Sequence, residues 1–175
     1  LAGYETEISI HFNKSKNAAK KLKKDLEELG SKTHLVKADL NDPTQTRRII
    51  KESFKKMQGM DCLINNASIF ENDNLMNFSD KSFARHININ LKAPAILTQT
   101  FSKLLKKSSG TIINIIDQRI DKLTPFFFSY TLSKTALATL TTTSAMKLAP
   151  NIRVNAISPG PTLKNKRQTE KHFEK

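Results

Sequence analysis

Thr111-Ile112-Ile113-Asn114-Ile115-Ile116-Asp117 and, after a loop, Phe126-Phe127-Phe128-Ser129-Tyr130-Thr131-Leu132-Ser133-Lys134 form the stretch that decides the fold. The first run is short, apolar and rich in β-branched residues, the pattern of a strand buried on both faces. It ends on Asp117, and the loop beyond carries Gln118, Arg119, Asp121 and Pro125. The spacing then predicts a helix opening near Ser129, which sets Tyr130 and Lys134 four residues apart on one face. An acid at the end of a buried strand, facing a Tyr/Lys pair, is suited to proton transfer. A free tyrosine, with a pKa of about 10, holds its proton at neutral pH. A neighbouring ammonium favours the phenolate and is expected to lower that value. A tyrosine tuned in this way exchanges a proton with a reacting oxygen or nitrogen.

Outward from this stretch, strands and helices alternate. Residues 7–12 read as a short strand. Residues 16–29 read as an amphipathic helix, apolar at Ala18, Ala19, Leu22, Leu26 and Leu29 and closed by Gly30. Residues 34–38 read as a strand. Asp42-Pro43 then caps and opens a helix to about residue 57. Residues 61–65 read as another buried strand, and residues 71–78 are mostly polar, the composition of a mobile loop. Ser79 or Asp80 opens a long helix to about residue 107. Pro94 lies inside it and lacks an N–H, so the carbonyl of Asn90 loses its helical partner. The Tyr130 helix continues to about residue 148 and is full of Ala, Ser and Thr, and residues 152–158 form a last strand. No repeat or linker divides residues 1–175, which read as one α/β domain with a doubly wound parallel sheet.

The composition bounds the function. At 175 residues the chain suffices for a real core, and 38% hydrophobic with 26% charged residues is ordinary for a soluble protein. Cys62 is the one cysteine, so no disulfide framework exists and a cytoplasmic setting is expected. No apolar run reaches membrane-spanning length. The four histidines, His11, His34, His86 and His172, share no metal-ligand spacing. The net charge of +13 reads first as a lysine-rich solvated surface, one that also draws in a polyanionic cofactor. Nucleic-acid binding is disfavoured because no helix-turn-helix or RNA-binding signature accompanies the charge.

The strand, the polar residue thirteen before the tyrosine, and Tyr130-x-x-x-Lys134 together resemble the short-chain dehydrogenase/reductase family over nearly the whole chain. The family usually has serine at the Asp117 position. An aspartate there is similar to the pteridine reductase and dihydromonapterin reductase branch, as is Asn65-Asn66-Ala67-Ser68-x-Phe70. The resemblance implies a Rossmann-like fold and a homo-oligomer, dimer or tetramer, built on the two long helices; the small-residue face could equally lie against the sheet. No Gly-x-Gly occurs, so the family's first strand with its Gly-rich loop, and its C-terminal strand, are expected to be missing.

The resemblance also implies roles. Tyr130 supplies the proton, Lys134 lowers its pKa and binds cofactor ribose, and Asp117 bonds Tyr130 and serves a substrate ring nitrogen. Asn90 anchors a relay water through its main chain. Asp39-Leu40 meets the adenine, Asn66, Ala67 and Ser68 pass the adenosine ribose, and Pro159, Gly160 and Thr162 hold the nicotinamide. Phe70 stacks on a pterin ring, or is a loop residue packed on the core. Rossmann-type folds that use NAD carry an acid after the second strand. Asn13-Lys14-Ser15 stands there instead and suits a 2′-phosphate, so NADPH is expected over NADH. The expected activity is reduction of a C=N or C=O bond in a small molecule, a dihydropteridine first. A ketone or quinone as substrate, or a non-catalytic fragment acting as a subunit or as a basic nucleic-acid-binding protein, are the alternatives.

Overall fold

The computed structural model describes residues 6–106 and 108–160. In chain order it runs β1 (Glu7–Phe12), α1 (Lys16–Glu28), β2 (Lys32–Lys37), α2 (Pro43–Lys56), β3 (Cys62–Asn65) and α3 (Asp80–Ile87). A π-helical segment, Asn88–Lys92, joins α3 to α4 (Ala93–Leu105). β4 (Gly110–Ile115), a 3-10 turn (Gln118–Ile120), α5 (Phe128–Leu148) and β5 (Ile152–Ile157) follow. The Thr162 position falls outside the described residues.

Every strand pairing is parallel. β1 pairs with β2, and β3, β4 and β5 form a second sheet in that order. Among the described residues the two sheets are not hydrogen-bonded to each other. A cavity of about 510 Å³ separates them, lined by Ser9, Ile10 and His11 of β1 and by Cys62, Ile64 and Asn65 of β3. This is the parallel α/β arrangement that the strand–helix alternation predicts, with the partial, Rossmann-like sheet that the resemblance implies.

Local chemistry sets the element ends. Gly30 takes φ +87° after α1, a left-handed conformation that costs glycine nothing. Asp42 caps α2 by accepting from the amides of Thr44 and Gln45, and Pro43 occupies the first turn, where a missing N–H is harmless. Ser79 caps α3 through the amide of Ser82. Phe101, Ile112, Leu63, Leu97, Val36 and Val154 anchor one continuous apolar core.

β4 departs from the expected strand buried on both faces. Ile112 and Asn114 are fully buried, whereas Ile113 and Ile115 are only partly so. In the aligned registers, Leu63, Ile112 and Val154 share the buried face. Ile64 and Ile157, on the other face, are 44% and 51% exposed. That second face is only partly covered among the described residues, so the continuous apolar run marks a sheet interior more deeply covered on one side.

Polar side chains cross the buried face in order. Asn65 Nδ2 donates to Asn114 Oδ1 at 2.8 Å, and Asn114 Nδ2 donates to Thr141 Oγ1 at 2.8 Å. This chain ties β3, β4 and α5 together and fixes the helix that carries Tyr130 relative to the strand that precedes Asp117. Along α5, Leu132, Thr135, Thr139, Thr142 and Met146 are exposed at helical spacing. No helix among the described residues is long and apolar enough to cross a membrane.

Candidate active site

Asp117 lies just past β4, in extended conformation, and its Oδ1 accepts from the Arg119 amide at 2.9 Å. That bond holds the carboxylate over the 3-10 turn and leaves Oδ2 turned to α5. Tyr130 Oη donates to Asp117 Oδ2 at 2.7 Å. Lys134 Nζ, one helical turn on, donates to the Ile115 carbonyl at 2.7 Å and stands 5.7 Å from the Tyr130 ring centroid. Tyr130 and Lys134 are both buried, at 6% and 2% exposure. Strand end, turn and first helical turn thus converge on one hydroxyl.

The electrostatics invert one expectation. Burial pushes the Tyr130 phenol well above its ordinary value, and the hydrogen bond and charge of Asp117 push it further. Arg119 offsets this only in part. Lys134 does not lower it, because its ammonium is committed to the Ile115 carbonyl and not to the phenol oxygen. Burial brings Lys134 itself down to about 8, partly offset by Asp117. In this arrangement the Tyr130 hydroxyl keeps its proton and donates it as a hydrogen bond to Asp117.

Phe70, in the loop after β3, stacks on Phe127 with ring centroids 4.3 Å apart and planes 6° from parallel. Its ring also meets Tyr130 edge-on at 4.6 Å. Phe70 therefore packs, but against the catalytic candidates and not into the core. Phe127 stands at the N-terminal end of α5 with φ +58°, a conformation uncommon for an aromatic residue.

Asn90 lies inside the π-helical segment and is 1% exposed. The Ala93 amide reaches back five residues to Asn88, and Pro94 offers no N–H to the Asn90 carbonyl. The side chain is fully engaged: Oδ1 accepts from the Ile69 amide at 2.9 Å, and Nδ2 donates to the Ile69 carbonyl and Ser133 Oγ, both at 3.0 Å. Asn90 thus clamps the Phe70 loop onto α5 through its side chain.

Sequence reasoning missed Asp73. Residues 71–78 have the composition of a mobile loop, yet Asp73 is 7% exposed and bonded to α5. Its Oδ1 accepts from the Ser129 amide at 3.1 Å, and its Oδ2 accepts from the Ser129 hydroxyl. It supplies the cap that Phe127 cannot. Glu71 adds contacts to Ser82 and Arg85, at 3.1 Å each. An Asp placed 56 residues before its partner carries no local signal. His86 is fully buried between the Ser82 carbonyl at Nδ1 and the Glu71 amide at Nε2, a packing role.

A separate cavity of about 800 Å³ opens between the ends of β1 and β2 and the Phe70 loop. Asn13, Lys14, Ser15, Asp39, Leu40, Ala67 and Ser68 line it, with Asn41, Lys81 and Arg85. Asn66 lines the cavity between the two sheets instead. Ser15 sits at the start of α1 without a capping side-chain bond, so its hydroxyl is available to the cavity. Its size and the basic side chains of Lys14, Lys81 and Arg85 fit the adenosine end of a dinucleotide. Pro159 and Gly160 follow β5 on the Tyr130 side of the sheet order, away from this cavity. No cluster of metal-ligating side chains occurs among the described residues.

The comparisons agree with this geometry. The FolM alternative dihydrofolate reductase 1 of Brucella canis, solved with NADP, superposes with TM-score 0.89 at 41% identity, over 96% of this chain and 67% of that one. A short chain dehydrogenase of Burkholderia cenocepacia, also solved with NADP, gives 0.84 at 26% identity, over 88% and 63%. The galactitol 2-dehydrogenase of Agrobacterium fabrum is 31% identical over 75% of this chain and 53% of its own length. The curated relatives are longer: the chain spans 62% of an uncharacterised oxidoreductase of Methylorubrum extorquens and 46% of human dehydrogenase/reductase SDR family member 4. The short chain dehydrogenase profile matches residues 1–175, and on that match the chain belongs to the short-chain dehydrogenase family.

Proposed function

We propose that this chain carries the proton-transfer site and part of the cofactor groove of an NADP-dependent reductase acting on a dihydropteridine-type ring. The observation that carries the reading is the 2.7 Å hydrogen bond from Tyr130 to Asp117. Where the family has serine, a carboxylate paired with a buried phenol can pass a proton to a basic ring nitrogen. The Tyr130 hydroxyl is protonated at neutral pH, the form reduction needs, and substrate binding must offset the burial and the Asp117 charge that oppose its release.

Lys14 and Ser15, with Asn13, would hold the 2′-phosphate, and Asp39, Leu40, Ala67 and Ser68 the adenosine. Asn66, Pro159 and Gly160 would complete the groove. Bound NADPH supplies the hydride. Tyr130 would give up its proton through the Asp117 carboxylate that accepts its hydrogen bond, the proton passing to the substrate nitrogen, and Lys134 would hold the cofactor ribose. Phe70, stacked on Phe127 and touching Tyr130, would border the flat substrate ring. Asn90 holds the Phe70 loop, and its main-chain carbonyl suits a water that refills the relay. The exposed stripe on α5 fits a second copy of the chain.

The test is NADPH oxidation by the full-length protein with a dihydropterin, a ketone and a quinone. The dihydropterin should be preferred, and Tyr130→Phe should lower kcat by about 10²–10⁴-fold. A preference for the ketone or quinone moves the substrate class, and full activity in Tyr130→Phe overturns the proton-donor role.

A further inference from the structure

Glu71, the residue after Phe70, is fixed at three points. Its amide donates to Nε2 of the buried His86 at 3.3 Å, its Oε2 accepts from Ser82 Oγ at 3.1 Å, and its Oε1 accepts from Arg85 Nη1 at 3.1 Å. The first two bonds hold Glu71 without Arg85. Arg85 has no second hold: among the described residues Glu71 is the one hydrogen-bond and ion-pair partner of its side chain. The side chains of Arg85 and Glu71 are 42% and 39% exposed, and a pair that open to solvent adds little to folding. What the pair does set is the direction of a long, flexible side chain. A guanidinium pinned at one nitrogen keeps its other N–H donors in a fixed plane.

Arg85 also lines the cavity of about 800 Å³ between the strand ends and the Phe70 loop. Lys81, one turn earlier on α3, lines it too. Lys14 stands on the strand side, and Asp39 is the one carboxylate among the lining residues. Three cations against one acid suit a doubly charged anion better than a neutral group. Glu71 is not part of the lining and reaches the cavity through Arg85. We propose that Glu71 is a positioning residue for the cofactor: it aims the Arg85 guanidinium at the 2′-phosphate, and so ties the loop that carries Phe70 to the nucleotide cavity. This rests on the cofactor groove described above and adds to it a contact from α3 that is controlled from the substrate side.

The experiment is calorimetric titration of the full-length protein with 2′,5′-ADP, which carries the 2′-phosphate, and with 5′-AMP, which lacks it. The quantity read is the ratio of the two affinities, in which any general loosening of the cavity cancels. The wild type should prefer 2′,5′-ADP. Arg85→Gln should lower the ratio by about 10–100-fold, the range expected for losing a hydrogen bond between charged groups. Glu71→Gln should lower it by about fivefold, and the double variant should fall no further than Arg85→Gln, because Glu71 acts through Arg85. The direction is diagnostic. By charge alone, removing a carboxylate near a bound phosphate would tighten binding, so a loss means that orientation outweighs repulsion. A Glu71→Gln ratio equal to or above that of wild type overturns the proposal, as does a double variant in which the two losses multiply. An Arg85→Gln ratio within about twofold of wild type also overturns it, since the contact is then not made. Wild-type protein that binds neither nucleotide, or binds both alike, overturns the cofactor reading itself, and the inference with it.

Discussion

At the scale of single residues, the site is organised by what surrounds one phenol. Asp117 and burial both hold the Tyr130 proton, so Asp117→Asn should bring the phenol pKa down, as read by ultraviolet titration. An unchanged midpoint would mean that burial alone sets it. Lys134 responds to pH in the opposite sense to an ordinary paired lysine. Its folded value of about 8 lies below the ordinary 10.5, so below pH 8 both folded and unfolded chains carry the proton and the buried ammonium weighs fully against folding. As pH rises from 8 towards 10.5 the unfolded state binds more protons, and stability increases. Lys134→Met should therefore be more stable than wild type at neutral pH, with the advantage shrinking above pH 8. Urea midpoints across that range check it; a constant difference would contradict the lowered pKa.

At the scale of elements, the position of α5 depends on a residue outside it. Phe127 at the helix start has no side-chain oxygen, and Asp73 reaches in to accept both donors of Ser129. Asp73→Ala should cost about 1–2 kcal/mol and loosen the first turn, Tyr130 included. Hydrogen exchange should show faster amides at residues 129–131 than at the far end of α5. Uniform exchange would mean that the cap is not needed. Here the limits of reading a sequence are physical. Asp117, Tyr130 and Lys134 were legible because a β-branched run and a four-residue helical spacing bring them together locally. Pro94 pointed to Asn90 through a missing N–H. Asp73 and Phe127 were not legible, since their partners are set by how two loops meet. The raised Tyr130 pKa was missed for a related reason: sequence shows that a lysine is near, but not that its ammonium points at a carbonyl.

At the scale of the whole molecule, the alternation of strands and helices gave the parallel α/β arrangement, and the absence of Gly-x-Gly agreed with two sheets separated by a cavity. How fully each sheet face is covered was not legible, because an apolar run looks the same whether one face or both are packed. The basic surface is a prediction about cofactor choice. With a net charge of +13 the whole protein attracts polyanions, but only Lys14 stands at the end of β1 in the nucleotide-sized cavity. Lys14→Ala should lower the ratio of NADPH to NADH affinity by about tenfold, measured by fluorescence titration. A ratio that survives the substitution would assign the preference to the diffuse field.

The π-helical turn between α3 and α4 makes the chain sensitive to length at that point. Five residues, Asn88–Lys92, fill a turn that a regular helix would close with fewer. Removing one of them would restore ordinary winding, but it would rotate everything before the cut by about 100° relative to everything after it. His86 would leave its buried place, and Asn90 or its successor would face away from Ile69 and Ser133. Single substitutions here change one contact each, whereas a one-residue deletion undoes them together. Insertions and deletions in this protein should therefore be tolerated in surface turns and excluded from residues 88–92, where the residue count is as tightly constrained as any side chain packed there.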